Sequence, residues 1–265
     1  MKKYLVILFS FFLLACSTGT PQVTNTPEII VTASPTSTST PLPPSLWISD
    51  SVPDNLRELA QTFDIPIVDD INSATQTFDI SDSGSTWIYA LVASFPTVTD
   101  DIASDALISI WKGESAERKL IMAESTLQVF TAKWGEPSRS QVRSVDSNQL
   151  LDEAWNDLSV WAIIPFEEIN PKWKVISVDN QSPIRKEFDE NLYELKITFG
   201  VDGFDLPESN RDETKLTTVV LTGVTALVRA TAFTMETKGV TRPGELIYDW
   251  LYNADVTHIS NEVPF

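Results

Sequence analysis

Apolar residues fall into short runs separated by turn-forming residues from about residue 45 onward. Residues 87–93 and 160–165 are continuous apolar runs of strand length, which is typical of strands covered on both faces. The remaining predicted strands are shorter or alternate in polarity, and they cover residues 47–49, 65–68, 75–80, 120–122 and 174–178. This pattern predicts a sheet whose central strands lie between two layers.

Other segments have apolar residues at helical spacing. The predicted helices cover residues 53–63, 100–112, 126–134 and 150–158. In the second of these, Ile102, Leu107, Ile110 and Trp111 share one face. Ser125 stands where it can cap the third helix. Strands that alternate with helices favour an α/β fold with a mostly parallel sheet.

The N-terminus has the pattern of an export signal. Lys2 and Lys3 precede an apolar run that ends at Leu14, and the run is shorter than the roughly 20 residues that a membrane-spanning helix requires. Residues 13–16, Leu-Leu-Ala-Cys, resemble the bacterial lipobox, and Cys16 is the only cysteine. We therefore expect residues 1–16 to be a lipoprotein signal peptide and Cys16 to carry the lipid. The alternative is a buried N-terminal helix with an incidental cysteine.

Residues 17–44 are rich in Ser, Thr and Pro, so they can bury too little apolar surface to fold. This composition predicts an extended tether. The net charge of the chain is -18. It becomes -20 once the signal peptide, with Lys2 and Lys3, is removed. Such a surface argues against nucleic acid as a partner. The expected location is the extracytoplasmic face of the cell membrane, with the membrane itself as a partner through the lipid.

Several motifs after residue 45 resemble the phosphate-type periplasmic solute-binding proteins. They are residues 89–98 with Ile110-Trp111-Lys112-Gly113, residues 161–166, residues 173–178 followed by Asp179-Asn180-Gln181-Ser182-Pro183, and Tyr193-Glu194-Leu195. The resemblance covers residues 45–199 and implies a periplasmic-binding-protein-like (type II) module, which we assign to residues 45–205. It also implies a small anionic ligand as a partner.

In that family a Ser/Thr loop at a helix N-terminus holds the anion, since free N–H groups point at it. Ser125 and Thr126 occupy the matching place, although Glu124 adds a carboxylate and the glycine and arginine frequent in the family are missing. Ser125 is alternatively a simple helix cap. Arg185 is the nearest candidate anion partner, or else a solvated surface residue.

The C-terminal residues 214–265 resemble the opening of the CapA-type capsule-synthesis domain, associated with poly-γ-glutamate. A predicted strand leads into Thr222-Gly223, and a predicted helix covers residues 226–238. A turn follows at residues 241–244 and a second helix at residues 245–252. A last strand then leads into Ser260-Asn261-Glu262. The resemblance implies the first strand–helix–strand part of a calcineurin-like metallophosphatase fold and a partner in surface-polymer machinery. Leu227, Ala230, Phe233 and Met235 are the expected packing residues of the helix.

The metal site of that family is incomplete here. Val224 replaces the aspartate expected after Gly223, and His258 is the only histidine. A two-metal centre requires several converging carboxylate, Asn and His ligands. Asn261, Glu262 and His258 are therefore read as remnants of a ligand cluster or as ordinary residues at a strand end. A divalent metal is expected only if the domain continues beyond Phe265, so we expect a fragment without a cofactor.

The motifs of other enzyme classes, such as a phosphate loop, a Gly-x-Ser-x-Gly elbow or a cysteine nucleophile, do not occur in the sequence. The adjacent carboxylates Asp69-Asp70, Asp100-Asp101 and Glu167-Glu168 are expected to be solvated. Two hypotheses follow. The chain is a CapA-type surface-polymer lipoprotein that is not catalytic as it stands, or it is a solute-binding lipoprotein of an ABC-type transporter that recognises a small anion.

Overall fold

The computed structural model describes residues 43–262 of the chain. Its sheet is organised around one long strand, β2 (Gln76–Ser94), which joins the segments 75–80 and 87–93 that the sequence predicts as separate strands. The other strands of this sheet are β1 (Leu46–Ile48), β3 (Asp101–Ile102), β4 (Lys119–Met122), β5 (Val142–Ser144), β6 (Val160–Pro165), β7 (Trp173–Val178) and β8 (Lys196–Gly200).

The strand order is β3-β7-β2-β6-β4-β5, and β1 and β8 also pair with β2. Pairing is parallel for β1–β2, β3–β7, β4–β5 and β4–β6, but β2 is antiparallel to β6, β7 and β8. The fold is therefore mixed α/β. The prediction of a mostly parallel sheet is wrong at its centre, because β2 lies between strands that run in the opposite direction.

Both faces of the central strand are covered, as its continuous apolar run predicts. Leu91 of β2 belongs to the larger core, together with Trp111 and Phe130 from the helices on that face. Val92 belongs to a second core on the other face, with Leu150 and Ala154. The helices of these layers are α1 (Asp54–Ala60), α2 (Ser104–Lys112), α3 (Glu124–Trp134) and α4 (Leu150–Asn156).

The long strand bends where its two predicted halves meet. Its pairing with β8 shifts register between Ile80 and Ser85. Gly84 lies in this bend with φ 134°, and a Cβ there would approach the carbonyl oxygen of Phe199 to 2.1 Å. Only glycine fits this backbone position. The bend explains why polar residues 81–85 interrupt the apolar pattern without ending the strand.

Most predicted elements lie near the observed ones, but the strand 65–68 and the start of the helix 100–112 differ. Residues 65–68 do not form a strand, and Ile67 makes only an isolated β-bridge with Leu46. The predicted helix 100–112 begins at Ser104, since Asp101–Ile102 pairs with β7 as β3. The strands β5 and β8 were not predicted: β5 has only three residues, and the alternation of Ile197 and Phe199 with polar neighbours in β8 was missed.

The chain past residue 205 remains attached to the central sheet. The backbone N–H of Ile88 donates to Oδ1 of Asn210 (2.7 Å), and Nδ2 of Asn210 donates to the carbonyl of Ile88 (2.9 Å). Thr86 forms a bridge with Ser209. These contacts anchor the chain before it enters residues 216–262, which we name the C-terminal segment.

The C-terminal segment contains β9 (Val219–Thr225), α5 (Ala230–Lys238), α6 (Tyr248–Asn253) and β10 (Val256–Asn261). β9 and β10 pair in parallel, so the predicted strand–helix–strand order is present. Its apolar face is largely uncovered, and Phe233 is 65% exposed. The predicted packing role of Phe233 is therefore wrong, because nothing in the described chain covers this side of α5. Within residues 43–262 no helix is both long and apolar enough to cross a bilayer.

Candidate functional site

The candidate site begins at the tight turn that follows β7. Val178 and Gln181 exchange two backbone hydrogen bonds of 2.9 Å. Asp179 and Asn180 between them have φ of 51° and 63°. Asp and Asn tolerate this left-handed conformation, and two such residues form the type I′ turn of a hairpin. The carboxylate of Asp179 also accepts the backbone N–H of Ser104 (2.9 Å), so the turn is fixed to the start of α2.

The chain after this turn is held by Arg211, which sequence analysis missed. Its Nε donates to the carbonyl of Pro183 (2.8 Å), and its Nη2 donates to the carbonyl of Arg185 (3.0 Å). The guanidinium also lies 4.8 Å from the ring centre of Phe188. The side chain is only 7% exposed. Arg211 therefore positions the backbone that carries Arg185. Because Arg211 is distant in sequence from Pro183 and Arg185, no local sequence pattern indicated this role.

A cavity of about 610 Å³ lies between the segment after β7, which carries Arg185, and the C-terminal segment. Its volume is in the range of small-molecule sites, roughly 300–1,000 Å³. One wall includes three cationic side chains, Lys174, Arg185 and Lys186. The opposite wall includes Thr218, Asp249 and Trp250. Arg185 is thus the one predicted ligand residue that lines this cavity.

Two of the three cations already have carboxylate partners. Nζ of Lys174 lies 2.6 Å from Oδ1 of Asp100, and Nζ of Lys186 lies 2.7 Å from Oδ1 of Asp255. The hydrogen bond and charge of Lys174 lower the pKa of Asp100, and Arg185 lowers it further. The hydrogen bond of Lys186, the backbone N–H of Thr218 and the charge of Lys186 lower the pKa of Asp255. Both lysines are therefore locally neutralised.

Arg185 is held in a different way. Its guanidinium lies 4.3 Å from the ring centre of Trp250. No carboxylate of residues 43–262 lies within ion-pair distance of it. Stacking uses the face of the guanidinium and leaves the N–H groups at its edge available for a planar anion. Arg185 is thus oriented without being neutralised.

Ser125 and Thr126 lie elsewhere and do not line this cavity. Helix α3 begins at Glu124, and its N-cap is Ala123. The prediction that Ser125 caps the helix is wrong, because β4 ends at Met122 and the helix starts two residues earlier than expected. Thr126 is 2% exposed, so its side chain is part of the interior. The structure does not bring these two residues together with Arg185.

The residues read as metal-ligand remnants lie at the end of the parallel pair. His258 pairs with Leu221 and Asn261 pairs with Thr225. The backbone N–H of Glu262 donates to the carbonyl of Thr225 (3.1 Å). In the described part of the chain, no group of three or more His, Cys, Asp or Glu side chains is arranged to hold a metal. Cys16, the predicted lipid site, lies outside the described residues.

The adjacent carboxylates are exposed to solvent, and several also accept hydrogen bonds or form ion pairs. Asp101 accepts the backbone N–H of Asn180 (2.8 Å), and Asp100 pairs with Lys174. Glu167 accepts hydrogen bonds from the side chains of Asn55 (3.0 Å) and Asn210 (2.7 Å). The prediction of solvated carboxylates is confirmed, since all of these side chains are exposed, and several of them also connect segments that are distant in sequence.

The sequence matches no protein family and no curated protein. The fold is similar to those of several solved proteins. One is an ABC-type phosphate transport receptor from Vibrio cholerae, with 10% identity, coverage of 61% of this chain and 88% of that chain, and a TM-score of 0.48. Others are a possible phosphate binding protein from Planctomyces limnophilus DSM 3776 (12% identity, 60% of this chain, 80% of that chain, TM-score 0.45) and a putative phosphate ABC transporter substrate-binding protein with bound phosphate from Clostridium perfringens (13% identity, 60% of this chain, 84% of that chain, TM-score 0.42). At these TM-scores the similarity carries no functional argument.

Proposed function

We propose that the protein is an extracytoplasmic binding protein for a small anionic solute, held in the cavity beside Arg185. One observation carries the proposal. Of the three cations that line the cavity, Arg185 has no ion-pair partner in residues 43–262, while Lys174 and Lys186 do. A guanidinium with free edge N–H groups binds carboxylate or phosphate through two parallel hydrogen bonds.

Further observations agree with this proposal. Trp250 fixes the guanidinium, so little side-chain freedom is lost when an anion binds. The net charge of -18 disfavours non-specific binding of anions, which makes a local positive group necessary. The resemblance of residues 45–199 to phosphate-type solute-binding proteins points to the same class of ligand.

A thermal unfolding assay with a panel of small anions tests the proposal. Phosphate, sulfate, acetate, glutarate and L-glutamate are added in turn to the protein, and Tm is measured. At about 100 times its Kd, a ligand of the folded state raises the free energy of unfolding by about 2.7 kcal/mol. We expect at least one anion to raise Tm, and Arg185→Gln to abolish that shift.

The matched control is Arg118→Gln. Arg118 also lies over a tryptophan, 5.1 Å from the ring centre of Trp161, but it does not line the cavity. This variant should keep the anion-dependent shift. The proposal is wrong if no anion in the panel raises Tm, or if Arg185→Gln and Arg118→Gln respond alike.

The proposed location is the outer face of the cell membrane, with a lipid on Cys16 as the anchor and residues 17–44 as the tether. The support is the signal peptide and lipobox pattern of residues 1–16. An ABC-type transporter is the partner that a tethered solute-binding protein serves.

Expression in a bacterial host with the signal peptide intact tests this location. We expect the protein in the membrane fraction, with a mass that corresponds to a diacylated Cys16 at the mature N-terminus. Cys16→Ser should lack the lipid mass and leave the membrane fraction or remain unprocessed. Recovery of wild-type protein from the cytosol with Met1 still present contradicts the proposal.

A further inference from the structure

The cavity beside Arg185 also contains carboxylates that lack cationic partners. Asp249 lies in the first turn of α6 and lines the cavity. Within residues 43–262 its carboxylate makes no hydrogen bond or ion pair, whereas Asp255 nearby pairs with Lys186. Glu187 also lines the cavity, and its Oε1 accepts a single long hydrogen bond from Nδ2 of Asn253 (3.3 Å).

The charges that remain in the cavity therefore have both signs. The ion pairs of Lys174 with Asp100 and of Lys186 with Asp255 neutralise four groups. One cation, Arg185, and two carboxylates, Asp249 and Glu187, are left around the same space. A ligand with only negative charge would gain from Arg185 but be repelled by the two carboxylates.

We infer that the ligand is a zwitterion of the amino-acid class, with its carboxylate on Arg185 and its ammonium group facing Asp249 and Glu187. This inference rests on the proposed function, because it assigns the anionic end of the ligand to the same guanidinium. Such a ligand places an opposite charge beside both the cation and the carboxylate pair of the cavity, and hydrogen bonds between charged groups are stronger than neutral ones.

The overall charge of the protein supports a zwitterion over a simple anion. At a net charge of -18, the protein repels an approaching anion, whereas a zwitterion has no net charge to be repelled. The stacking of Arg185 on Trp250 adds a geometric reason. Asp249 directly precedes Trp250 in α6, so the same helix turn that orients the guanidinium also carries a carboxylate to the cavity wall.

Calorimetric titration with matched pairs of compounds tests the inference. Each amino acid is compared with the same carboxylate lacking the amino group, namely L-alanine with propionate, 4-aminobutyrate with butyrate, and L-glutamate with glutarate. For at least one pair we expect the amino acid to bind about tenfold more tightly, or better, since a charged hydrogen bond is worth about that much.

Variants separate the two ends of the ligand. Asp249→Asn and Glu187→Gln should reduce the preference for the amino acid by about tenfold in combination, while the affinity for the plain carboxylate stays equal or rises. Arg185→Gln should abolish binding of both members of the pair. The control is Asp105→Asn, which removes a carboxylate from the first turn of α2, outside the cavity, and should change neither affinity.

The outcomes distinguish the inference from the proposed function. If the plain carboxylate binds as tightly as the amino acid and Arg185→Gln abolishes this binding, the zwitterion is excluded and the anion-binding function stands. If the amino acid is preferred but Asp249→Asn and Glu187→Gln leave the preference intact, the assigned ammonium site is wrong. If Arg185→Gln leaves all binding unchanged, both the inference and the proposed function are overturned. If no amino acid or carboxylate binds, the inference is overturned, and the thermal assay with phosphate and sulfate decides the proposed function.

Discussion

At the scale of single residues, aromatic side chains join buried segments through their polar atoms. The hydroxyl of Tyr193 donates to the carbonyl of Tyr89 (2.9 Å), and both side chains are buried. The N–H of Tyr89 donates to the carbonyl of Leu195 (2.9 Å), so both backbone groups of Tyr89 face the same side of β2, where Tyr193 supplies a donor. Burial raises the pKa of the Tyr193 hydroxyl above its ordinary value, which keeps it a donor at neutral pH.

Replacement of Tyr193 by Phe tests the importance of this hydrogen bond. We expect the free energy of unfolding to fall by about 1–3 kcal/mol, since a buried carbonyl loses its donor while the ring remains. Urea unfolding followed by circular dichroism measures the change. The control is Tyr248→Phe, because Tyr248 is 57% exposed and its hydroxyl reaches solvent. Equal stabilities of the two variants would contradict this role.

At the scale of elements, the C-terminal segment depends on polar contacts more than on burial. Leu221 of β9 is 72% exposed and Phe233 of α5 is 65% exposed. A two-stranded sheet with little covered apolar surface is marginally stable on its own. Its attachment to the rest of the chain includes the ion pair of Lys186 with Asp255 and the stacking of Arg185 on Trp250. Three residues of these contacts, Arg185, Lys186 and Trp250, also line the cavity.

Asp255→Asn should therefore loosen the C-terminal segment at neutral pH. The folded-state pKa of Asp255 is lowered from 3.8, so its contribution to stability is fully present above that value and is lost as pH falls through the lowered pKa. We expect faster hydrogen exchange in residues 219–261 of the variant at pH 7. We also expect wild-type and variant stabilities in urea to converge as pH falls below about 3.8.

Glu236→Gln is the matched control, because Glu236 belongs to α5 of the same segment but does not line the cavity. In this variant, the backbone amide hydrogens of residues 219–261 should exchange at the wild-type rate. A difference between Asp255→Asn and the wild type that persists unchanged to low pH would show that the carboxylate charge is not the cause.

At the scale of the whole molecule, the position of the cavity follows from the fold. β7 lies beside β2, the turn after β7 is fixed to α2, and Arg211 holds the next segment through the carbonyls of Pro183 and Arg185. The cavity therefore joins two parts of the chain that the sequence assigns to different domains. The proposed ligand would therefore contact both parts.

The sequence predicted local features well where one residue pattern dominates. The continuous apolar run of residues 87–93 identified the covered centre of the sheet. It also named Arg185 as a candidate anion partner. It placed Ser125 incorrectly, because the start of a helix depends on where the preceding strand leaves the sheet and not on the capping residue alone.

The amino-acid sequence by itself determined the α/β class, the burial of the central strand and the acidic character of the chain, since each of these depends on local pattern or on composition. The tertiary structure decided that β2 is antiparallel to three neighbours, that Lys174 and Lys186 are paired while Arg185 is stacked on Trp250, and that Asp249 lines the same cavity. These are contacts between distant positions, and their geometry depends on how the whole chain packs. No local pattern encodes them.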